Sequence, residues 1–121
     1  MTKSENSKQY DLEERTFKFA KDCRDLVKQL LRSAGNIEDG KQLIKASGSV
    51  GANYIEANEA LSKKDFIHRI KICRKESKES RYWLSLVYTG GNKKLETERM
   101  KLLKESTELM KIFSSIMRKS E

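Results

Sequence analysis

The chain has 121 residues, and its 26 Lys+Arg against 18 Asp+Glu give a formal net charge of +8, a length for one domain with no room for a second core. Hydrophobic and charged residues each make up 36% and proline is absent, which suits uninterrupted helices, each with one apolar stripe and a wide solvated face, rather than strands joined by tight turns. No apolar run approaches the ~18 residues that span a membrane, and residues 1–14 hold no apolar signal-peptide core, so a cytoplasmic protein is expected.

Residues 1–10 are polar and unpatterned and read as a disordered N-terminal arm, with a four-helix bundle over 11–118. Asp11 and Glu14 fit a capping box. From there Phe19/Ala20, Cys23, Val27, Leu30/Leu31 and Ala34 recur at three- and four-residue steps, predicting a first helix over 11–34 that Gly35-Asn36 would end. The second helix is predicted over 38–60, with Leu43, Ser47, Val50, Tyr54, Ala57 and Leu61 in one stripe and Ile44, Gly48, Gly51 and Ile55 beside it. Glycines inside a helix cost about 1 kcal/mol each. Here, with Ser47 and Ala52, they leave one flank almost without side chains, where a neighbouring backbone can come close.

Ser62 followed by Asp65 is a second cap signal. It opens a third helix over 63–88 with the core stripe Phe66, Ile70, Cys73, Ser77, Leu84 and Val87. Thr89-Gly90-Gly91-Asn92 is the clearest turn. A fourth helix over 93–118 carries Leu95, Leu102, Leu109, Phe113 and Ile116 on one side. Four helices with short connections pack as an all-α, up-down antiparallel bundle.

The positive charge is local. The first helix is close to balance and the second nearly neutral. Residues 62–88 hold Lys63, Lys64, Arg69, Lys71, Arg74, Lys75, Lys78 and Arg81 against Asp65, Glu76 and Glu79. The fourth helix, Lys119 included, also carries a basic excess. With the Phe66/Ile70/Leu84 stripe facing the core, Lys64, Lys71, Arg74, Lys75, Lys78 and Arg81 fan out over one arc that could follow a phosphate backbone; a merely solubilising face is the competing explanation. On the opposite flank Ile72, Trp83 and Leu86 lie together with Glu76 and Glu79 interleaved. A second apolar stripe on a bundle helix points to a partner surface, with Trp83 as anchor of a homo-oligomer contact; otherwise Trp83 simply covers the bundle's edge.

Chemistry leaves little trace. His68 is the only histidine and lies opposite the core stripe, so neither a histidine-based metal site nor a catalytic triad has material. Cys23 and Cys73 sit on apolar faces without a CxxC motif and read as buried reduced thiols. The turn at 89–92 lacks the phosphate-loop lysine. Glu56 and Glu59 have no Glu-x-x-His companion for a di-metal centre, and Glu56 beside Asn53 reads as a hydrogen-bonding pair at the bundle end. No enzyme activity, cofactor or metal is expected.

The run Ser49-Val50-Gly51-Ala52-Asn53-Tyr54-Ile55-Glu56-Ala57, then Ser62-Lys63-Lys64-Asp65-Phe66, then Lys75-Glu76-Ser77-Lys78-Glu79-Ser80-Arg81-Tyr82-Trp83-Leu84 resembles the bacterial four helix bundle protein family. Founding members of that family are encoded in intervening sequences of large-subunit ribosomal RNA genes. The likeness covers about residues 15–117. It implies a ring-shaped homopentamer, similar to the accessory variability protein of diversity-generating retroelements, a basic pentamer that works with a reverse transcriptase and its RNA. It also implies that Asn53, Glu56 and Glu79 hold family signature positions. Gly51 and Ala57 depart from the pattern, since many members have proline and glycine there.

The reading that results is a non-catalytic, basic, homo-oligomeric bundle that binds an RNA or DNA backbone as an accessory factor. The alternative is a scaffold that docks a protein partner, such as a reverse transcriptase, with no direct nucleic-acid role.

Overall fold

In a computed structural model the backbone is described from residue 3 and the side chains from Leu12 onward. The first helix already begins at Lys3, so residues 3–10 of the expected arm are helical and Asp11 lies inside that helix rather than capping it; the side chains before Leu12 are outside the described ones. Four helices follow in order: α1 Lys3–Gln29, α2 Ala34–Asn58, α3 Lys63–Leu86 and α4 Lys93–Ser120. Each packs on two neighbours, α1 with α2, α2 with α3, α3 with α4 and α4 back on α1, with no diagonal contact among the described residues. That cyclic order with short connections is the expected up-down antiparallel bundle.

The first connection is where sequence and structure part. Gly35 and Asn36 were expected to end α1; instead α1 stops at Gln29 and both residues lie in the first turn of α2. Ser33 is the N-cap, its Oγ accepting from the Asn36 amide at 3.1 Å, so the capping hydroxyl outcompetes the left-handed option. Positive φ among glycines occurs only at Gly90 (66°) and Gly91 (77°), where the α3–α4 turn demands it. At the start of α3, Ser62 accepts from the Asp65 amide at 3.0 Å, as expected, and Asn92 caps α4 by accepting from Leu95 at 3.0 Å.

The core follows the expected stripes closely. Phe19, Cys23, Leu43, Val50, Ile70, Cys73, Leu84, Leu109 and Phe113 are all essentially inaccessible. Leu26, not assigned to a stripe, is buried with them, whereas Leu31 is exposed and Leu61, beyond the Glu59 C-cap of α2, is 96% exposed. The bare flank of α2 does admit its neighbour: a Cβ at Gly51 would stand 3.1 Å from Thr16 Oγ1 on α1, and one at Gly40 would stand 2.9 Å from Val27. Both cysteines are free and buried, and burial raises each thiol pKa to about 12.

Asn36 ties together the two connections that lie at one end of the bundle. It is buried, donates from Nδ2 to the carbonyls of Leu31 (3.0 Å) and Tyr88 (2.9 Å), and accepts at Oδ1 from the Tyr88 amide at 2.8 Å. One side chain thus locks the α1–α2 turn to the chain just after α3. Arg99 on α4 completes the corner, donating to the carbonyls of Leu84 and Ser85 near the C-terminus of α3 while paired with Glu96, which satisfies carbonyls left open at a helix end.

Candidate nucleic-acid interface

The sequence positions every basic candidate on the outward side of α3, because Ile70, Cys73, Ser77 and Leu84 turn inward at three- and four-residue steps. Lys64, Lys71, Arg74, Lys75, Lys78 and Arg81 are all exposed. At about 100° per residue, Lys64, Lys71, Lys75 and Lys78 fall within about 40° of one line along the helix, with Arg74 and Arg81 roughly 80–100° to one side. From residue 64 to 81 the row is about 26 Å long at ~1.5 Å per residue.

None of the ion pairs among the described residues involves α3; they join Arg15 to Glu105, Lys18 to Asp22, Lys41 to Glu38, Arg99 to Glu96 and Lys101 to Glu98. Of the acidic residues of α4, Glu96 and Glu98 are thus used locally and Glu105 toward α1. Its basic residues Lys93, Lys104, Lys111 and Arg118 are exposed and share one outward face within about 40°. The α3–α4 side of the bundle therefore carries a double row of cations, of which the sequence reading resolves only the α3 half; the i, i+11, i+18, i+25 spacing of the second row is the available signal.

The flank toward α2 differs. Arg69 donates to Asn53 Oδ1 at 2.9 Å, which fixes that edge of α3 against α2, and Trp83 lies on the same side. Trp83 is half-buried and packs against the core, so part of the indole closes the bundle's edge, as the edge-cover alternative has it, and part remains accessible. Ile72 is also half-buried, while Leu86 is 47% exposed. Glu79 is exposed. Glu76 is half-buried, and its pKa is raised by burial first and by Glu79 second, against the pull of Lys75 and of Lys45 on α2.

Asn53, Glu56 and Glu79 do not converge. Asn53 donates to the Ser49 carbonyl (2.8 Å) and hydroxyl (3.0 Å) and holds Arg69, so the expected Asn53–Glu56 pair is replaced by an α2–α3 clamp. Glu56 and Glu79 are exposed on separate helices. His68 is exposed, and no group of three or more His, Cys, Asp or Glu among the described residues could hold a metal. A groove of about 380 Å³ between α1 and α4 is lined by Arg15, Lys18, Asp22, Glu98, Lys101 and Glu105 among others. Its charges largely neutralise one another: Arg15 donates twice to Glu105 at 2.7 and 2.8 Å and Lys18 meets Asp22 at 2.6 Å. Among the described residues, no helix is long and apolar enough to cross a membrane.

Residues missed by the sequence reading sit at the end of the cationic row. Tyr82 is 59% exposed and Tyr88 is 62% exposed. Tyr82 shares the angular position of Lys64 and lies between Lys71/Lys78 and Lys75 around the helix. Its ring meets that of Trp83 edge-on, with centroids 5.0 Å apart and planes at 79°.

The family model described as 23S rRNA-intervening sequence protein matches residues 8–115. Among solved structures, the chain is similar to a protein of unknown function from the S23 ribosomal protein family of Bacteroides thetaiotaomicron. The two share 30% identity over 87% of this chain and 96% of that one, with a TM-score of 0.74. No curated protein matches the chain. The chain belongs to the 23S rRNA-intervening sequence protein family.

Proposed function

We propose that this member of the 23S rRNA-intervening sequence protein family is a non-catalytic accessory protein that grips the phosphate backbone of RNA or DNA through the outward face of α3. The observation that carries this reading is the row of six exposed cations on a helix that has no ion pair among the described residues. Cations already matched to carboxylates gain little from a polyanion; unmatched ones release condensed counterions from it. The family's ribosomal RNA connection agrees with this chemistry. Without a base-reading motif, binding tracks backbone and shape rather than sequence. Measuring affinity for RNA and DNA oligonucleotides from ~50 mM salt upward tests the reading: a steep loss with salt is expected, and no binding at ~50 mM ends it.

Self-association belongs to the same proposal, with Ile72, Trp83 and Leu86 forming the contact between copies and Glu76 and Glu79 at its rim. Its support is the exposed Leu86 beside the partly covered Trp83, an apolar strip that the bundle itself does not finish burying. Light scattering of the full chain decides it, and a monomer across the micromolar range removes this part without touching the first.

A further inference from the structure

We propose that the polynucleotide held by α3 is single-stranded, with one base stacked on Tyr82; the proposal rests on the backbone-binding reading above. Three observations converge on this tyrosine. It lies on the line of the lysine row, within about 40° of Lys64, Lys71, Lys75 and Lys78, so a strand whose phosphates follow those lysines passes over its ring. It is 59% exposed although it is a large aromatic residue on a packed helix. Its contact with Trp83 is edge-to-face, with ring planes at 79°, which fixes the phenol while leaving at least one ring face uncovered.

A cationic track with an uncovered aromatic face at its end is the combination that single-strand binding uses. Lysines neutralise the backbone, and the ring offers a sequence-tolerant surface to any unpaired base. A duplex keeps its bases stacked on one another and has nothing to offer the ring, so it engages the lysines alone. The polar hydroxyl end of Tyr82 stays in water while the ring is covered, so stacking leaves no polar atom unsatisfied.

The test uses the full chain and fluorescein-labelled U12, dT12 and a 12-base-pair duplex, read by anisotropy at ~50 mM salt. The wild type binds both single strands. Tyr82→Ala weakens them about tenfold while duplex affinity moves less than twofold, and Tyr82→Phe behaves as the wild type. The U12 and dT12 arms separate RNA from DNA as the favoured strand. Trp83, the only tryptophan, supplies a second readout, since its emission changes with U12 or dT12 and not with the duplex. Tyr82→Ala keeping full single-strand affinity, or weakening strand and duplex alike, overturns the stacking proposal and leaves backbone binding in place, provided that Lys75→Gln/Lys78→Gln weakens both ligands. Failure of the wild type to bind any of the three overturns both readings. A change in oligomeric mass on Tyr82→Ala without a change in single-strand affinity assigns the ring to a contact between copies instead.

Discussion

Replacing Lys75 and Lys78 by glutamine removes two neighbouring cations from the centre of the α3 row and leaves polar, uncharged side chains one atom shorter, and both positions are exposed. If all six basic residues of the row neutralise a phosphate, the slope of log affinity against log salt is about −4 for a single strand, at roughly −0.7 per contact. A fourfold rise in salt, from ~50 to ~200 mM, then weakens binding about 300-fold. With four contacts left the slope falls to about −3 and the same rise costs only about 50-fold. The assay is fluorescence anisotropy with U12 across that salt range, with circular dichroism to show that helix content is unchanged. A wild-type slope shallower than about −1, or a double variant with the wild-type slope, would refute the reasoning, since the lysines would then be solvated surface with no ligand.

The other predictions concern the fold and its edges. Asn36→Ala strands two carbonyls and one amide at the junction of the two turns and should cost about 2–4 kcal/mol; a urea midpoint that implies less than about 0.5 kcal/mol contradicts the lock. Cys23 and Cys73 remain protonated in the fold up to about pH 12, whereas unfolded thiols ionise near pH 8.5–9. Because the folded pKa is raised, the unfolded chain binds fewer protons in that interval, and stability is full below about pH 8.5 and falls as pH rises toward 12. The two thiols together account for roughly 3 kcal/mol per pH unit at most, and urea unfolding of a Cys23→Ala/Cys73→Ala variant should show a shallower decline between pH 9 and 10.5. Leu86→Glu should reduce the oligomeric mass in light scattering with the melting temperature of the bundle unchanged. Trp83→Glu should lower both, by about 2 kcal/mol or more in stability, because it drives a charge toward the core; a Leu86→Glu protein of unaltered mass removes the proposed contact.

The fold was legible because its signals are local and periodic. Ile70, Cys73, Ser77 and Leu84 announce the inward side of α3, and the Ser62 and Gly90-Gly91-Asn92 signals place its neighbours within a residue or two. The α1–α2 connection was misread for a physical reason. Gly35-Asn36 looks like a helix terminator when taken alone, but Ser33 two residues earlier captures the Asn36 amide, and Asn36 is needed inside the junction for Tyr88, 52 residues away. Nothing local in the sequence encodes that partner. For Trp83 the sequence leaves a partner anchor and an edge cover both open, because whether an off-stripe indole reaches the core depends on how close the neighbouring helix comes. The cationic row needs only helical geometry, and so do the ion pairs within helices; the exception is Arg15 with Glu105, which is again long-range.

The row also carries a cost inside the fold. Along α3, Lys71 faces Arg74 and Lys75, Arg74 and Lys75 face Lys78, and Lys78 faces Arg81, all at three- or four-residue spacing where side chains meet. Each like-charge pair opposes the helix by about 0.2–0.5 kcal/mol, and no ion pair within the described residues offsets it. The four helices could have been held by α1-like or α2-like charge mixtures, in which Lys18 with Asp22 and Lys41 with Glu38 alternate sign. The bundle thus keeps its self-repelling face on a helix that, like the others, packs between two neighbours and whose edge a tryptophan partly closes. A polyanion laid along that face removes the repulsion as it binds, so the strain of the free state becomes part of the affinity for the ligand.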